Sequence, residues 1–385
     1  MLYFIFGLLI AYVAWGGHLT LTILSLTLFI SYLLISKRVS LFLFALGYYG
    51  VASRGLLVGA ENFAGSNSYA FGVWSAATLL SSLAWVVFWS ESFQKRLYLF
   101  PLAFLFVTLP PIGFISWVNP LPSVAVLFPG FGFMGLTIEF GLVYLVALLI
   151  NRFYESYKVK VVLIGFLSTC LVLMGIHFFI QPKVQPSDTI VPINADLAYK
   201  PMELDRIAEY KRVQYFFRSV QEQHGDRFLL PENALGNYSD IQSMVWSRLD
   251  RTKVVYAGAN IYNATRTQDQ NVLLRLEHNS SDIVYTQRVP VLFTMWKPFT
   301  GEGTTATIYE RPVIELDGQK AGVFICYEQL LTFPYFQTML HEPDVLLGIS
   351  NLYWAKETNI KTIQHQVMQL WAILFGVSLV FVVNG

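Results

Sequence analysis

Long apolar stretches follow one another through the first half of the chain and are separated by short polar segments. An apolar stretch of about 17 to 25 residues is long enough to cross the roughly 30 Å hydrocarbon core of a bilayer. Because the first stretch has no basic leader and is followed by further apolar stretches, we interpret it as a retained helix rather than a cleaved signal peptide. The pattern predicts seven transmembrane helices, near residues 1–17, 20–36, 39–58, 71–90, 97–117, 131–150 and 159–181.

Basic residues occur in every second loop between these predicted helices. Lys37 with Arg38, Lys95 with Arg96, and the segment 152–160 supply them, whereas the intervening loops contain no Lys or Arg. The positive-inside rule therefore places the N-terminus and the basic loops in the cytoplasm. Because the number of spans is odd, the chain after about residue 182 is exported. We predict a multi-pass protein of the bacterial inner membrane with a periplasmic C-terminal domain.

Two ionisable residues lie inside predicted spans, Arg54 in the third and Glu139 in the sixth. Charged groups at membrane depth tend to face a partner or a cavity. Either the two residues pair and join two helices, or they contribute to lipid binding, with Arg54 facing a phospholipid phosphate. The segment 110–135 between the fifth and sixth spans is rich in Pro, Gly and aromatic residues. This composition predicts a structured interfacial or re-entrant segment rather than a free loop.

The hydropathy pattern changes after a short linker, and residues 187–385 read as short β-rich runs with helices between them. Helices are predicted at 201–223 and 358–375 from apolar residues at helical spacing. We interpret the final run after Gly376 as a buried strand rather than an eighth span. Strands are predicted in TIVPINAD, FLLPENAL, VVYAGANIY, QNVLLRLEH, DIVYTQRVPVLF, GVFICYEQ, DVLLGISN and VSLVFVV. The pattern predicts an α/β layered domain that follows a helical membrane domain of residues 1–182.

Composition agrees with this division. The chain is 55% hydrophobic and 13% charged, and eight of its 26 Lys and Arg and four of its 25 Asp and Glu precede residue 181. Its net charge is +1 and no basic arm stands out, so we expect no direct nucleic-acid binding. The two cysteines, Cys170 and Cys326, are too few for a disulfide framework or a metal cluster. We therefore expect neither a metal nor a cofactor.

Two residues at predicted strand ends are candidates for chemistry. Cys326 closes the apolar run GVFI, and Glu232 follows FLLP at the end of another run. Alone, a strand cysteine is more often inert core, and a glutamate at this kind of position is more often a surface turn residue. Together they form a plausible pair, because a carboxylate that accepts the thiol proton makes the sulfur a reactive nucleophile.

The motifs around these two residues resemble those of the nitrilase superfamily, specifically the membrane-bound apolipoprotein N-acyltransferases. LPENAL is similar to the PE motif of that family, GVFICYE to its CYE motif and ISNLYW to its ISNDGW motif. Gln364, His365 and the closing VFVVNG follow in the expected order. The resemblance covers nearly the whole chain and implies an αββα sandwich beside a multi-span helical domain.

The resemblance also implies a mechanism. Cys326 would attack a phospholipid ester and form a thioester, Glu232 would accept and return the proton, and an amine would then take the acyl group. Glu328, two residues after the cysteine and on the same side of a strand, would orient the site; its alternative role is a plain surface charge.

The chain departs from this family at the lysine that stabilises the oxyanion in a YxKxHLVPFGE-like segment. The matching stretch here is YTQRVPVLFTMWKPF, with Gln287 at the lysine position. Arg288 is expected on the opposite face of the strand, and Lys297 lies ten residues after Gln287. Losing one oxyanion donor typically costs about 2.7 to 4 kcal/mol. Gln287 would donate a neutral hydrogen bond instead, or Lys297 would fold in.

A second departure is length, since the family continues beyond the VVNG strand, and we expect a shortened C-terminus here. Both departures fit the TraB-type conjugal transfer proteins of plasmids, which resemble the acyltransferases in layout and carry a QR-VPV-MWKP-like segment. This resemblance implies a role in conjugation, with conjugation proteins as partners.

Two hypotheses from different classes follow. The first is a thiol acyltransferase or amidase that uses a phospholipid acyl donor and an amine acceptor. The second is a non-catalytic assembly component that keeps the fold as a binding module. A Lys297 side chain directed away from Cys326, with no other cation nearby, would favour the second.

Overall fold

A computed structural model describes residues 1–153, 183–197 and 206–385. The chain divides into two compact units. The helical unit comprises Met1–Val184, Leu331–Phe333 and Thr358–Gly376, and the sheet unit comprises Gln185–Leu330, Pro334–Glu357 and Val377–Gly385. The seventh predicted span, 159–181, lies outside the described residues.

Helices and strands of the described residues are numbered in chain order. The helices are α1 Leu2–Ala14, α2 Thr27–Leu34, α3 Arg38–Ala52, α4 Gly55–Ala64, α5 Asn67–Val87, α6 Phe93–Thr108, α7 Gly132–Phe153, α8 Arg206–Glu222, α9 Asp240–Trp246, α10 Thr332–Met339 and α11 Ile360–Phe375. The strands are β1 Val191–Pro192, β2 Arg227–Leu229, β3 Val254–Tyr262, β4 Gln268–Glu277, β5 Ser280–Thr286, β6 Trp296–Lys297, β7 Glu302–Thr304, β8 Val313–Leu316, β9 Gln319–Ile325, β10 Val345–Asn351 and β11 Ser378–Asn384.

Within the helical unit, helices occupy the predicted apolar stretches of the described residues. Two of them, α5 and α7, are long and apolar enough to cross a membrane. A third candidate is the pair Arg38–Ala52 and Gly55–Asn62, which is bent by 49°. Leu2–Ala14 and Leu19–Leu34 are shorter apolar helical segments. Length and composition therefore support membrane association for this part of the chain.

Close contact between α1 and α3 depends on two glycines. A Cβ atom at Gly7 would collide with the Phe44 carbonyl oxygen, and one at Gly47 would collide with the Phe4 carbonyl oxygen. Small residues let helix backbones approach in this way, which increases van der Waals contact between the two helices.

The Pro-rich segment after α6 is structured, as its composition predicts. It contains 3-10 turns at Ile112–Phe114 and Leu121–Val126, and the second turn is fully buried. The Tyr48 hydroxyl donates to the Val118 carbonyl at 3.0 Å. Trp117 also forms an isolated β-bridge with Leu331 within the helical unit.

Helix α11 belongs to the helical unit although the strands before and after it, β10 and β11, belong to the sheet unit. Its buried Gln366 donates to the carbonyls of Ala14 and His18 and accepts from the Gly17 N–H. These bonds satisfy backbone groups that are left open where α1 ends. The predicted helix at 358–375 is thus confirmed, and its polar side chains secure the end of the first helix.

The strands of the described residues form two sheets in the sheet unit. The larger sheet has the order β1-β2-β3-β4-β7-β6, with β5 paired to β4. The smaller sheet has the order β11-β10-β9-β8, and β11, β10 and β9 are parallel. Strand β10 is buried along its whole length, as its apolar sequence VLLGISN requires for a central parallel strand.

The predicted alternation of strands and helices is confirmed, with several local differences. The run TIVPINAD is a strand only at Val191–Pro192, and the short helices α9 and α10 were not predicted. The run DIVYTQRVPVLF is a strand only as far as Thr286. Strand β9 ends at Ile325, one residue before the cysteine. The strands β6, β7 and β8 were not predicted, because two are only two and three residues long and the third, Val313–Leu316, has few apolar neighbours in sequence.

Candidate active site

Cys326 stands at a sharp turn at the carboxyl end of β9. Its backbone φ is +49°, in the left-handed region, and the chain continues as a 3-10 turn over Cys326–Leu330. A non-glycine residue held in this region carries backbone strain, which tends to occur at functional sites. The side chain is free of any disulfide and only 7% exposed.

Glu232 lies in a tight turn after β2 that rests against β3. The Gly258 N–H donates to the Pro231 carbonyl, and the Leu235 N–H donates to the Gly258 carbonyl. A Cβ atom at Gly258 would lie 2.5 Å from the Glu232 Cα. Only glycine therefore lets the turn come this close to the strand, and the close approach carries the Glu232 side chain inward.

Three groups donate hydrogen bonds to the buried carboxyl group of Glu232. The Asn351 backbone N–H donates to Oε2 at 2.9 Å, and Asn271 Nδ2 donates to Oε1 at 2.6 Å. The Cys326 thiol is the third donor. The structure thus brings together the two residues that the sequence singles out, and it holds the carboxyl group in one orientation relative to the sulfur.

Burial raises the pKa of Glu232 above its ordinary value of 4.5. The hydrogen bonds from Asn351, Asn271 and Cys326 act in the opposite direction, and the charge of Glu328 adds to the increase. A raised pKa makes the carboxylate a stronger base toward the thiol.

Gln287, at the position of the expected lysine, belongs to the same network. It is fully buried; its Nε2 donates to the Ile325 carbonyl at 2.9 Å, and its Oε1 accepts from Asn271 Nδ2 at 3.1 Å. The amide is therefore anchored at the residue before the cysteine, and one of its two N–H groups has no bond among those described here.

Glu328 is buried rather than a surface charge, and it does not share a strand face with Cys326 as expected. The chain turns at Cys326, so Glu328 points back into the interior, where it accepts from the backbone N–H groups of Ile325 and Val289 at 2.8 and 3.0 Å. It also accepts from the Arg288 N–H and the Tyr285 hydroxyl. Burial raises its pKa, while the Arg288 charge opposes this effect. Glu328 therefore ties the cysteine turn to the segment that carries Gln287.

Arg288 provides the opposite charge for Glu328. Both side chains have 0% exposure, with Arg288 Nε 4.0 Å from Glu328 Oε1. The guanidinium also donates to the Tyr285 hydroxyl, Gln337 Oε1 and Thr338 Oγ1. Its donors are thus committed to structural partners.

Lys297 lies on β6, at the edge of the larger sheet. Its side chain is 46% exposed, and Nζ is 3.4 Å from Glu302 Oε2. The structure does not bring Lys297 to the Glu232 network.

The two ionisable residues of the predicted spans are not paired with each other. Arg54 donates to the Val51 carbonyl and lies over the Tyr12 ring. Glu139 is buried, and neither of its carboxylate oxygens has a hydrogen-bond partner among the described residues. The alternative in which they join two helices is therefore wrong.

Sequence reasoning missed Asn271 and the backbone N–H of Asn351. Asn384, in the closing VVNG, supports the latter, since its Nδ2 donates to Asn351 Oδ1 at 3.0 Å. The one signal in the sequence was a polar Asn271 beside the apolar run VLL of a predicted strand. Within the described ranges, no group of three or more His, Cys, Asp or Glu side chains is arranged to hold a metal ion.

The sheet unit combines a cysteine at a strained strand end with a buried glutamate, and solved structures of the nitrilase superfamily are similar to it. One is a carbon-nitrogen hydrolase from Helicobacter pylori, with 16% identity and a TM-score of 0.36 over 51% of this chain and 72% of that one. Another is an amidase from Nesterenkonia sp., with 10% identity and a TM-score of 0.35 over 51% and 74%. Because both TM-scores lie below 0.5, this likeness alone supports no assignment.

The curated relatives are similar over nearly the whole chain. A probable conjugal transfer protein TraB of Sinorhizobium fredii is 28% identical over 98% of this chain and 96% of its own length. A conjugal transfer protein TraB of Agrobacterium fabrum is 28% identical over 88% and 82%. No protein-family model matches the chain.

Proposed function

We propose that the protein is a membrane-bound thiol acyltransferase or amidase that acts in plasmid conjugal transfer. Cys326 is the nucleophile and Glu232 is the general base. The observation that carries the proposal is the hydrogen bond from the thiol of Cys326, at a backbone φ of +49°, to the buried carboxyl group of Glu232. An inert core cysteine needs neither backbone strain nor a buried carboxylate beside it.

The chemistry follows in two balanced steps. Glu232 accepts the thiol proton while the Cys326 sulfur attacks an ester carbonyl; the ester C–O bond breaks, and Glu232 returns the proton to the leaving alcohol. An amine then attacks the thioester, Glu232 takes its proton, and that proton passes to the departing sulfur. The products are an amide and the free thiol.

Gln287 is the proposed oxyanion donor, through the N–H that does not bind the Ile325 carbonyl. A neutral donor stabilises the developing charge less than an ammonium group does, so we expect slower acylation than in enzymes with the lysine. Glu328 holds the Gln287 segment against the cysteine turn through bonds to Ile325 and Val289.

The relatives supply the biological context. Their printed names refer to conjugal transfer, and one of them aligns with 98% of this chain. We therefore propose that the substrate is a phospholipid together with an amine of the conjugation apparatus, and that conjugation proteins are the partners. No direct contact with nucleic acid is part of this proposal.

We also propose a multi-pass topology in the bacterial inner membrane with a periplasmic sheet unit. The alternating loop charges and the apolar helices support it. In intact cells, a membrane-impermeant maleimide is expected to label Asp282→Cys and not Lys95→Cys, since both positions are exposed but lie on opposite sides. The parent protein with Cys170 and Cys326 gives the background. Labelling of Lys95→Cys and not of Asp282→Cys would indicate the opposite topology.

A lipid-binding role is proposed for Arg54 and Glu139. Arg54 lies beside Tyr12, which is 58% exposed, and Glu139 has a buried carboxyl group without a described partner. Charged groups with these surroundings in apolar helices commonly face a polar ligand.

One observation favours the second hypothesis, a non-catalytic assembly component. Lys297 pairs with Glu302 and the donors of Arg288 are committed elsewhere, so the described bonds around Cys326 and Glu232 include no cation. This arrangement is what a binding module that had lost catalysis would also show.

Intact-mass analysis of protein purified with phospholipid distinguishes the enzyme from the non-catalytic assembly component. The enzymatic proposal predicts an acyl adduct on Cys326 that is absent from Cys326→Ala and that an added amine removes. In a mating assay, Cys326→Ala is expected to lose function. A fully functional alanine variant, together with no adduct in the parent, would exclude the enzymatic proposal and support the assembly component.

A further inference from the structure

Asn271 connects the two residues proposed as base and oxyanion donor. Its Nδ2 donates to Glu232 Oε1 at 2.6 Å and to Gln287 Oε1 at 3.1 Å. Its backbone carbonyl accepts from the Gln287 N–H at 2.8 Å. One side chain on β4 thus sets the position of both groups.

This arrangement defines the orientation of the Gln287 amide. Because Asn271 Nδ2 is a donor, Gln287 must turn its oxygen toward it. Its Nε2 then faces the Ile325 carbonyl, beside the cysteine turn. With the amide reversed, the Gln287 nitrogen would face the Asn271 nitrogen and its oxygen would face a carbonyl oxygen, and both contacts are repulsive.

Stability alone gives no reason for an asparagine at this position. Asn271 has 0% exposure, and its Oδ1 has no hydrogen-bond partner among the described residues. A buried acceptor without a partner is destabilising, and apolar residues follow directly in the strand, from Val272 to Leu274. The two hydrogen bonds that Nδ2 donates therefore explain why an asparagine occupies this position.

We infer that Asn271 is a positioning residue, which holds the Glu232 carboxylate toward the Cys326 thiol and turns the Gln287 N–H toward the cysteine. The inference rests on the proposed function. It predicts that loss of the Asn271 donor changes how the reactivity of Cys326 depends on pH, which a purely structural residue would not do.

The test measures alkylation of Cys326 by iodoacetamide from acidic to mildly alkaline pH in the full-length protein, with peptide mass spectrometry to separate Cys326 from Cys170. Asn271→Asp keeps the shape but replaces the donor with a second carboxylate beside Glu232. Repulsion between like charges then moves the alkylation profile to higher pH by about one unit or more. Asn271→Ala removes the hydrogen bond that favours the ionised form of Glu232 and holds it in place. A larger fraction of Glu232 is then protonated and unable to accept the thiol proton, so alkylation near neutral pH slows by about 10- to 100-fold.

Asn119 provides a matched control, because it is a buried asparagine of the helical unit whose Nδ2 donates to Thr108 Oγ1. Asn119→Ala is expected to keep the parent profile. If Asn271→Asp does not fold, Asn271→Ala and Asn271→Ser carry the test, since both remove the amide donor without adding a charge.

The Glu232→Gln variant distinguishes failure of the inference about Asn271 from failure of the proposed function. If Glu232→Gln slows alkylation and the folded Asn271 variants match the parent at every pH, the inference about Asn271 is wrong and the proposed function stands. If Glu232→Gln leaves alkylation unchanged, the proposed base is wrong and the inference fails with it.

Discussion

The Arg288 guanidinium and the Glu328 carboxylate lie 4.0 Å apart with no exposure of either side chain. Glu328 also binds backbone N–H groups on both sides of the network, at Ile325 and at Val289. The buried charge pair therefore connects the turn that carries Cys326 to the segment that carries Gln287. We therefore expect that loss of this charge pair lowers the stability of the sheet unit and also alters the geometry of the site.

Removal of one member of this pair should destabilise the sheet unit strongly. Arg288→Met leaves the Glu328 charge buried without its partner, and a change of this kind typically costs about 3 to 5 kcal/mol. The midpoint of thermal unfolding in one detergent measures the effect. Arg311→Met is the control, because Arg311 is 64% exposed and pairs with Glu315 at the surface. Equal midpoints for the two variants would contradict a structural role for the buried pair.

How far the sequence predicts the site depends on the residue. Glu232 and Cys326 could be predicted because each follows an apolar run. The structure shows that these runs, β2 and β9, belong to different sheets, and the sequence does not indicate that their ends meet. Asn271 and Gly258 were not found, since their roles depend on the register of β3 against β4 and on how closely the turn approaches β3. No local pattern encodes either relationship.

Glu328 shows a different limit. A continuous strand would place it on the face of Cys326, but the left-handed φ at Cys326 starts a 3-10 turn and rotates Glu328 toward Arg288. This backbone angle thus accounts for the difference between the predicted position of Glu328, on the strand face of Cys326, and its observed position beside Arg288 in the core. In the helical half, by contrast, the apolar stretches alone predict most helix positions, because the length and hydropathy of a stretch can be read from the sequence without knowledge of a particular partner.

The stability of the protein should depend on pH through Glu232. Its pKa is raised in the folded protein, mainly by burial, so the folded state holds the proton more tightly than the unfolded chain does. The stabilisation is fully present below the ordinary pKa of 4.5 and is lost as pH rises through the higher folded value. The unfolding midpoint of Glu232→Gln, relative to that of the parent, should therefore increase as pH rises from 4.5 through the folded pKa and remain constant above it. Parallel curves for the two proteins would show that burial does not change this pKa.

Gln287→Lys should restore a cation beside the base. An ammonium group at this position stabilises both the Glu232 carboxylate and a Cys326 thiolate, so alkylation of Cys326 should begin at lower pH than in the parent. If acylation is limited by the oxyanion, the rate of adduct formation should rise, because an ammonium group stabilises the developing charge more than the neutral Gln287 N–H does. The effect of one whole donor, about 100- to 1,000-fold, is the upper bound of this increase. Gln287→Met is the control of similar size without a donor. If Cys326 alkylation depends on pH in the same way in Gln287→Lys and Gln287→Met, the new ammonium group does not lie near the sulfur.

Gly258→Ala should displace Glu232 without removing any polar group. The added Cβ would lie 2.5 Å from the Glu232 Cα, 2.6 Å from the Pro231 oxygen and 2.9 Å from the Asn233 nitrogen. Backbone atoms cannot rotate away as a flexible side chain can, so the turn must shift, at a typical cost of about 1 to 3 kcal/mol. We expect a lower unfolding midpoint and slower Cys326 alkylation near neutral pH, approaching that of Glu232→Gln. Gly72→Ala, where a Cβ meets nothing within 4 Å inside helix α5, should neither lower the midpoint nor slow alkylation. Normal alkylation in a folded Gly258→Ala protein would mean that the Glu232 carboxylate reaches the thiol without this close approach of the turn.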